Sequence, residues 1–271
     1  MMQKKIKSLI YAGLGLILCV LLCGGIGMTA QAAETKTYGD FTYEEGKDGI
    51  TITMYTGNKK KVAIPDKINE IEVTGIGSYA FSCCSSLTDI TLPESLTSIG
   101  SYAFMNCKGL TSITVPKNVR SMGYAVFKNC ERIKKFTLPE GITRIASEAF
   151  AGCSSLTSLT IPDSVTSIGR SVVWDCNKLT SVVVPDSVTE FDTLKEPGFY
   201  VSAPSFWGAP NVTIICNKNS AVYKYAKKNN IPVKLMPKPA KKGTILTVSS
   251  KKVKVKVTSS SKKNPTVAVM K

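Results

Sequence analysis

The chain has 271 residues, 43% of them hydrophobic and 20% charged, which is the composition of an ordinary globular protein with enough apolar sequence for a sizeable core. Its 35 basic and 19 acidic residues give a formal net charge of +16. It has no histidine, which excludes Ser-His-Asp and Cys-His catalysis, a histidine general base and a histidine-ligated zinc site.

The first residues, 1–32, carry Lys4, Lys5 and Lys7, then an apolar run from Leu9 to Ile26, then Ala30-Gln31-Ala32. These are the three zones of a secretory signal peptide, with cleavage expected after Ala32. The apolar run is also near bilayer-spanning length, so an uncleaved anchor is the competing reading. Lipid attachment at Cys23 is disfavoured by Leu22, which stands where a lipoprotein signal wants a small residue.

Residues 33–61 are expected to form an N-terminal cap. Phe41-Thr42-Tyr43, a polar turn through Glu44 to Gly49 and the alternating Ile50-Thr51-Ile52-Thr53-Met54 predict a β-hairpin that can cover the open end of a core.

A repeat region follows over residues 62–214. Pro93, Pro116, Pro139, Pro162 and Pro185 recur every 23 residues, and so do Cys84, Cys107, Cys130, Cys153 and Cys176. Three residues before each cysteine stands Phe81, Phe104, Phe127 or Phe150, with Val173 in the fifth unit. A fixed period of this length is the signature of a solenoid. Pro65 lies five residues too far from Pro93, which places a small bulge or loop near Asn69 to Glu72.

Within the unit Leu96 to Pro116 and its successor, Thr111-Ser112-Ile113-Thr114-Val115 alternates as a strand, Ile113 and Val115 inward, Ser112 and Thr114 outward. The proline ends the strand, and Val119 to Met122 predicts a second short extended piece. Ala103, Phe104 and Cys107 fall at helical spacing and predict one or two helical turns over Ser101 to Cys107. One unit offers about five large apolar side chains, worth roughly 1.5–3 kcal/mol each when buried. Ordering its backbone costs roughly 1–2 kcal/mol per residue. A lone unit therefore stays unfolded, and stacking supplies the core.

The pattern Ile99, Ala103-Phe104, Cys107, Leu110, Ile113 and Val115-Pro116 resembles the 23-residue leucine-rich repeat of the BspA type, found in bacterial cell-surface and secreted proteins. The resemblance implies a leucine-rich-repeat solenoid, curved and right-handed, mostly of short β-strands with one short helical turn per repeat, capped at both ends. It also implies adhesion to host matrix proteins, other bacteria or cells.

Phe81, Phe104, Phe127 and Phe150, with Cys84, Cys107, Cys130, Cys153 and Cys176, are expected to fill the core. Two of the nine cysteines precede Ala32, leaving seven, an odd number that cannot all pair internally. Neighbouring rungs of a sheet lie about 4.8 Å apart, close enough to suggest disulfides. The other reading is that the thiols are small buried hydrophobes. Cys83 and Cys216, outside the column, are the better candidates for reactive or paired thiols. No metal or cofactor is expected, since Cys83-Cys84 has no CxxC companion. Asp163, Asp186, Glu94 and Glu140 all follow the repeat's proline as turn formers, so no catalytic carboxylate pair is legible and an enzyme is not expected.

A ligand is expected on the outward strand columns, which include Ser112, Thr114, Lys135, Thr137, Ser158 and Thr160. The plainer reading is that threonine suits an exposed strand. Asp89, Lys135 and Val183 interrupt the flat threonine ladder that an ice-binding solenoid would present. A departure from the repeat over residues 192–205 carries Phe199 and Tyr200, with Trp207 just after. Aromatics on a loop held by a rigid scaffold serve as binding anchors; here they can equally cover the end of the core. Trp174 is expected to fill the space left by Val173.

Residues 215–236 read as a C-terminal cap. Ser220 is an N-cap for a helix with Val222, Tyr225 and Ala226 on one face and Lys224, Lys227 and Lys228 on the other, and Val233 to Leu235 is an edge strand. Residues 237–271 are a lysine-rich linker and partial β-module, alternating through Thr244 to Val248, Ser249 to Lys252, Val253 to Val257 and Thr266 to Val269. Residues 197–271 hold fifteen lysines and no acid, whereas 33–196 are near neutral. For an exported protein such a basic end suits an anionic cell-wall polymer better than nucleic acid, though lysines also guard exposed strand edges.

The expected function is therefore that of a secreted or cell-surface binding protein, non-enzymatic, engaging a protein or glycan, such as a host matrix protein, through the solenoid face and the 192–205 loop. The alternative is a structural cell-wall or matrix-associated protein held by its basic C-terminal segment.

Overall fold

The computed structural model describes residues 35–192 and 203–237, with the backbone of three further strands, 245–248, 253–257 and 267–269. The expected signal peptide with cleavage after Ala32, and the loop residues Phe199 and Tyr200, lie outside the described residues.

The chain opens with β1 (Lys36–Tyr38), β2 (Phe41–Gly46) and β3 (Gly49–Tyr55), an antiparallel meander. The hairpin read from the sequence is β2–β3. β1 is an addition, because three residues are too few for an alternating pattern. β4 (Lys61–Ala63), β5 (Lys67–Ile68) and β6 (Ile71–Ile76) follow. β5 and β6 form a tight hairpin whose central residues Asn69 and Glu70 have φ of 50° and 66°. Two positive φ values are what a two-residue mirror-image turn requires, and this hairpin is the insertion expected near Asn69 to Glu72.

The repeats then lay down β7 (Asp89–Thr91), β8 (Ser98–Ile99), β9 (Ser112–Ile113), β10 (Ser121–Met122), β11 (Lys135–Thr137), β12 (Arg144–Ile145), β13 (Ser158–Thr160), β14 (Ser167–Ile168), β15 (Ser181–Val183) and β16 (Glu190–Phe191). β4 and the odd-numbered strands from β7 to β15 stack in parallel as one wall, β4-β7-β9 and β11-β13-β15. The even-numbered strands from β6 to β16 stack as another, β6-β8-β10 and β12-β14-β16, which β3 extends by pairing with β6. The register keeps the 23-residue period: Lys135 faces Ser158, and Ser158 faces Ser181.

The third wall corrects the expected helical turn. In residues 101–107 no helix forms; consecutive tight turns run there instead. Tyr102 and Asn106 have φ of 59° and 60°, which breaks a helix, and their N–H groups donate across to the next rung's Tyr124 and Lys128 carbonyls at 2.8 Å. Phe104 N–H does the same to Val126 at 2.9 Å. The N–H groups that a helix would have used four residues back thus form a third inter-rung ladder. This ladder continues where both strand walls pause, between β9 and β11 and between β10 and β12.

The core runs inside these walls. Phe81, Phe104, Phe127 and Phe150 stack in file at centroid separations of 5.3, 5.5 and 5.8 Å, their ring planes nearly parallel from rung to rung. Tyr55 continues the file, 5.4 Å from Phe81, and Phe136 wedges between Phe127 and Phe150 at 4.8 Å from each. Phe206 is buried after the gap at Val173.

Beyond the repeats come β17 (Thr213–Cys216), α1 (Ala221–Lys228) and β18 (Val233–Leu235). β17 and β18 extend the first wall in parallel. Ser220 caps α1 by accepting Tyr223 N–H at 3.1 Å, and Val222 and Ala226 are its buried face. The tail strands β19 (Ile245–Val248), β20 (Val253–Val257) and β21 (Val267–Val269) form their own antiparallel sheet.

Candidate functional site

The thiols are placed by the stack. Cys107, Cys130, Cys153 and Cys176 are fully buried, while Cys84 at the head of the column is half-buried. All seven described cysteines are free. Each buried column thiol donates to a phenylalanine carbonyl 26 residues earlier: Cys107 to Phe81 at 3.1 Å, Cys153 to Phe127 at 3.3 Å and Cys176 to Phe150 at 3.1 Å. Burial pushes the Cys176 thiol up to about 12, so it stays protonated as the donor. Of the two cysteines outside the column, Cys216 is buried and Cys83 is exposed, its sulfur accepting from Asn106 Nδ2 at 3.6 Å.

The hydroxyl columns separate into two kinds. Thr88, Thr111, Thr157 and Thr180 each donate to a carbonyl of the rung before, at 2.9–3.2 Å. Thr97 and Thr166 do so on the second wall. These threonines pin rung to rung. Ser112, Thr114, Lys135, Thr137, Ser158 and Thr160 are exposed, and among the described residues no side-chain hydrogen bond or ion pair holds them. They form an open polar face on the first wall, with donors and acceptors available to a partner.

Trp207 does not join that face. It sits on the turn wall, 56% exposed, on the rung next to Trp174, which is 42% exposed. This overturns the expectation that Trp174 fills the space beside Val173. Its indole instead lies over the next rung, against Gly208, where a Cβ would collide with the ring. Gly208 has φ +82°, in series with Asn106, Asn129, Gly152 and Asp175, all at positive φ. Asp175 accepts from Asn177 Nδ2 at 2.7 Å, and Asn211 Nδ2 donates to the Asn177 carbonyl at 3.2 Å, so a small polar group borders the indoles.

The stem of the 192–205 segment is held by a clamp that sequence reasoning missed. Asp192 Oδ1 accepts from Ser205 N–H at 2.6 Å, from the Ser205 hydroxyl at 2.8 Å and from the Tyr225 hydroxyl of α1 at 2.9 Å. Tyr225 also stacks on Phe191 at 4.3 Å. Burial, then the neighbouring Asp192 carboxylate, raise the Tyr225 phenol, which keeps it the donor. These residues lie in three separate stretches with no shared periodicity, so no sequence pattern joins them.

On the turn wall's central rungs, Lys128 pairs with Glu148, whose side chain is nearly fully buried. Tyr79 stacks on Tyr102 at 4.5 Å, and Tyr102 meets Tyr124 at 5.1 Å. Among the described residues no cluster of His, Cys, Asp and Glu could hold a metal ion.

No curated protein matches the chain in sequence. The BspA type leucine rich repeat region matches residues 74–195, in six copies. Among solved structures, the chain is similar to a leucine rich repeat protein of T. pallidum (TpLRR), 26% identical with a TM-score of 0.60, over 74% of this chain and 98% of that one. It is also similar to a leucine rich cell surface protein from Faecalibacterium prausnitzii A2-165, 23% identical with a TM-score of 0.58, over 85% of this chain and 60% of that one. With the six copies lying on rungs that stack at a constant period, residues 74–195 of the chain form a BspA type leucine rich repeat region.

Proposed function

We propose that the chain is a binding scaffold of the cell surface or its surroundings, which takes a protein or glycan ligand in an adhesive role. The observation that carries this reading is the pair Trp174 and Trp207, exposed on adjacent rungs of a stack whose phenylalanine file is buried. Exposed indoles on a rigid support are the commonest kind of binding anchor. The open hydroxyl face on the first wall is the second contact surface. The β1–β3 meander and α1 serve as its ends, supported by Tyr55 against Phe81 and Tyr225 against Phe191. A structure of the same fold is described as a cell surface protein, which agrees with export.

The chain has only two tryptophans, and both are in this pair, so intrinsic fluorescence reads the site directly. Titration with host matrix proteins and with cell-wall glycan fractions should shift the emission, and Trp174→Ala with Trp207→Ala should abolish binding while leaving the melting curve in place. Unchanged emission during saturable binding would place the ligand elsewhere. Binding that vanishes at moderate salt and survives deletion of the repeats would instead favour a structural role for the lysine-rich end.

A further inference from the structure

We propose that the open edge of β4 is a docking site for an extended acidic peptide, added to the first wall as one more strand. β4 ends its sheet, and among the described residues it pairs with β7 alone. In that parallel pairing the Lys60 carbonyl accepts from Thr88 N–H at 2.7 Å, and Ile64 N–H donates to the Thr91 carbonyl at 3.0 Å. The alternation of a parallel ladder therefore turns the N–H and C=O groups of Lys61 and Ala63 away from the sheet. Val62 between them is buried and fixes the strand. An edge of this kind templates main-chain pairing with another chain.

The edge opens into a cleft. A cavity of about 300 Å³ has β4 along one side and Tyr38, Phe41 and Tyr55 on the other. Phe41 and Tyr55 lie 5.5 Å apart and Tyr55 continues into the phenylalanine file, so that side is firmly backed, while Tyr38 is 48% exposed. An added strand would place alternate side chains toward this cleft, which suits an aliphatic or aromatic residue.

Charge selects the occupant. Lys59, Lys60 and Lys61 run into the edge; Lys59 is tied to Asp40 at 2.8 Å, and Lys60 and Lys61 have no ion pair among the described residues. Acidic residues flanking the apolar one would complement them. The same charge rejects a second copy stacked end to end, because β18 at the far end of the wall carries Lys234, next to Lys224, Lys227 and Lys228 on and around α1.

The test titrates the full-length chain with the blocked peptide acetyl-DVFVE-amide and with its basic counterpart acetyl-KVFVK-amide, by calorimetry, and follows backbone amide signals by NMR. The acidic peptide should bind, and the amides of Lys61 and Ala63 should shift and gain protection from exchange. Ala63→Pro removes a donor at an edge position where proline is tolerated, and should weaken binding about tenfold, the effect of one lost hydrogen bond. Replacing Lys60 and Lys61 together by Glu should reverse the preference toward the basic peptide. Thermal melts confirm that each variant folds. Absence of binding, unchanged affinity in Ala63→Pro, or perturbation of Trp174 and Trp207 in place of β4 each overturns the proposal. So does self-association without peptide binding when both lysines become Ala, since the lysines would then only guard the edge.

Discussion

The Cys130 sulfur lies 3.2 Å from the carbonyl oxygen of Phe104, which is 26 residues earlier and one rung away, and donates its S–H to it. The contact, repeated at Cys107, Cys153 and Cys176, gives the buried column cysteines a role beyond that of a small residue: each fills a tight file and holds a buried carbonyl. The Phe104 carbonyl also accepts Cys107 N–H at 3.2 Å, so loss of the thiol does not orphan it. Cys130→Ser, which keeps a donor, should cost about 1 kcal/mol and Cys130→Ala about 1–2 kcal/mol. Cys130→Val, which adds bulk to a packed file, should cost about 1–3 kcal/mol. Urea unfolding measures all three, and identical costs for Ser and Ala would mean the sulfur bond contributes nothing.

Alkaline pH should unfold the solenoid through the same thiols. Burial, with Cys83 beside it, raises Cys84 from 9.0 to about 11, and burial raises Cys176 to about 12. Between the unfolded and folded values the native state holds protons that the unfolded state has released. The stabilisation is complete below pH 9, and it fades as pH climbs through the folded values. Melting temperature should fall above that point, and less steeply in a Cys84→Ser, Cys176→Ser double variant. Parallel pH profiles for the two proteins would remove the thiols as the cause.

Inward and outward positions should differ sharply. Phe127 touches Phe104, Phe136 and Phe150, and Phe127→Ala should destabilise by about 3–5 kcal/mol. Thr114 is exposed and unattached, and Thr114→Ala should change stability by no more than about 0.5 kcal/mol. Thr111→Ala, which cuts a rung-to-rung bond of 3.1 Å, should fall between them. Denaturant melts of the three variants check the order.

The columns of proline, phenylalanine and cysteine were legible because every rung repeats the same contacts, so a period in sequence is a file in space. The turn wall was not. Tandem turns also bring Ala103, Phe104 and Cys107 inward, which imitates helical spacing. The residues that distinguish the two are those at positive φ, and Tyr102, Ala125, Glu148 and Ser171 are types that do not advertise it. Asn106, Asn129, Gly152, Asp175 and Gly208 do carry that signal, but they mark one column of the wall and not the other. Trp174 was misjudged because the match of Gly208 to its rung becomes visible only after the insertion is aligned by the ladder.

The positive-φ positions give a direct check on that wall. Ala125 holds φ 48°, a conformation that costs an L-residue roughly 1–2 kcal/mol. Ala125→Gly relieves it, at an unfolded-state cost of about 0.4–1 kcal/mol. A net gain of roughly 0.5 kcal/mol in urea melts is expected. A loss would mean that the packing of the buried Ala125 methyl outweighs the strain relieved.

The corner after β16 has a wider meaning. Asp192, Ser205 and Tyr225 tie off the chain where the repeat departs from its period, and the turn ladder resumes at once with Val172 N–H donating to the Ser205 carbonyl at 2.9 Å. A rung closed in this way can exchange the sequence it displays without its neighbours registering the difference. That corner works as a socket: the clamp and the resumed ladder carry the fold across it, so the sequence joining Asp192 to Ser205 can vary while the packing beneath stays as it is.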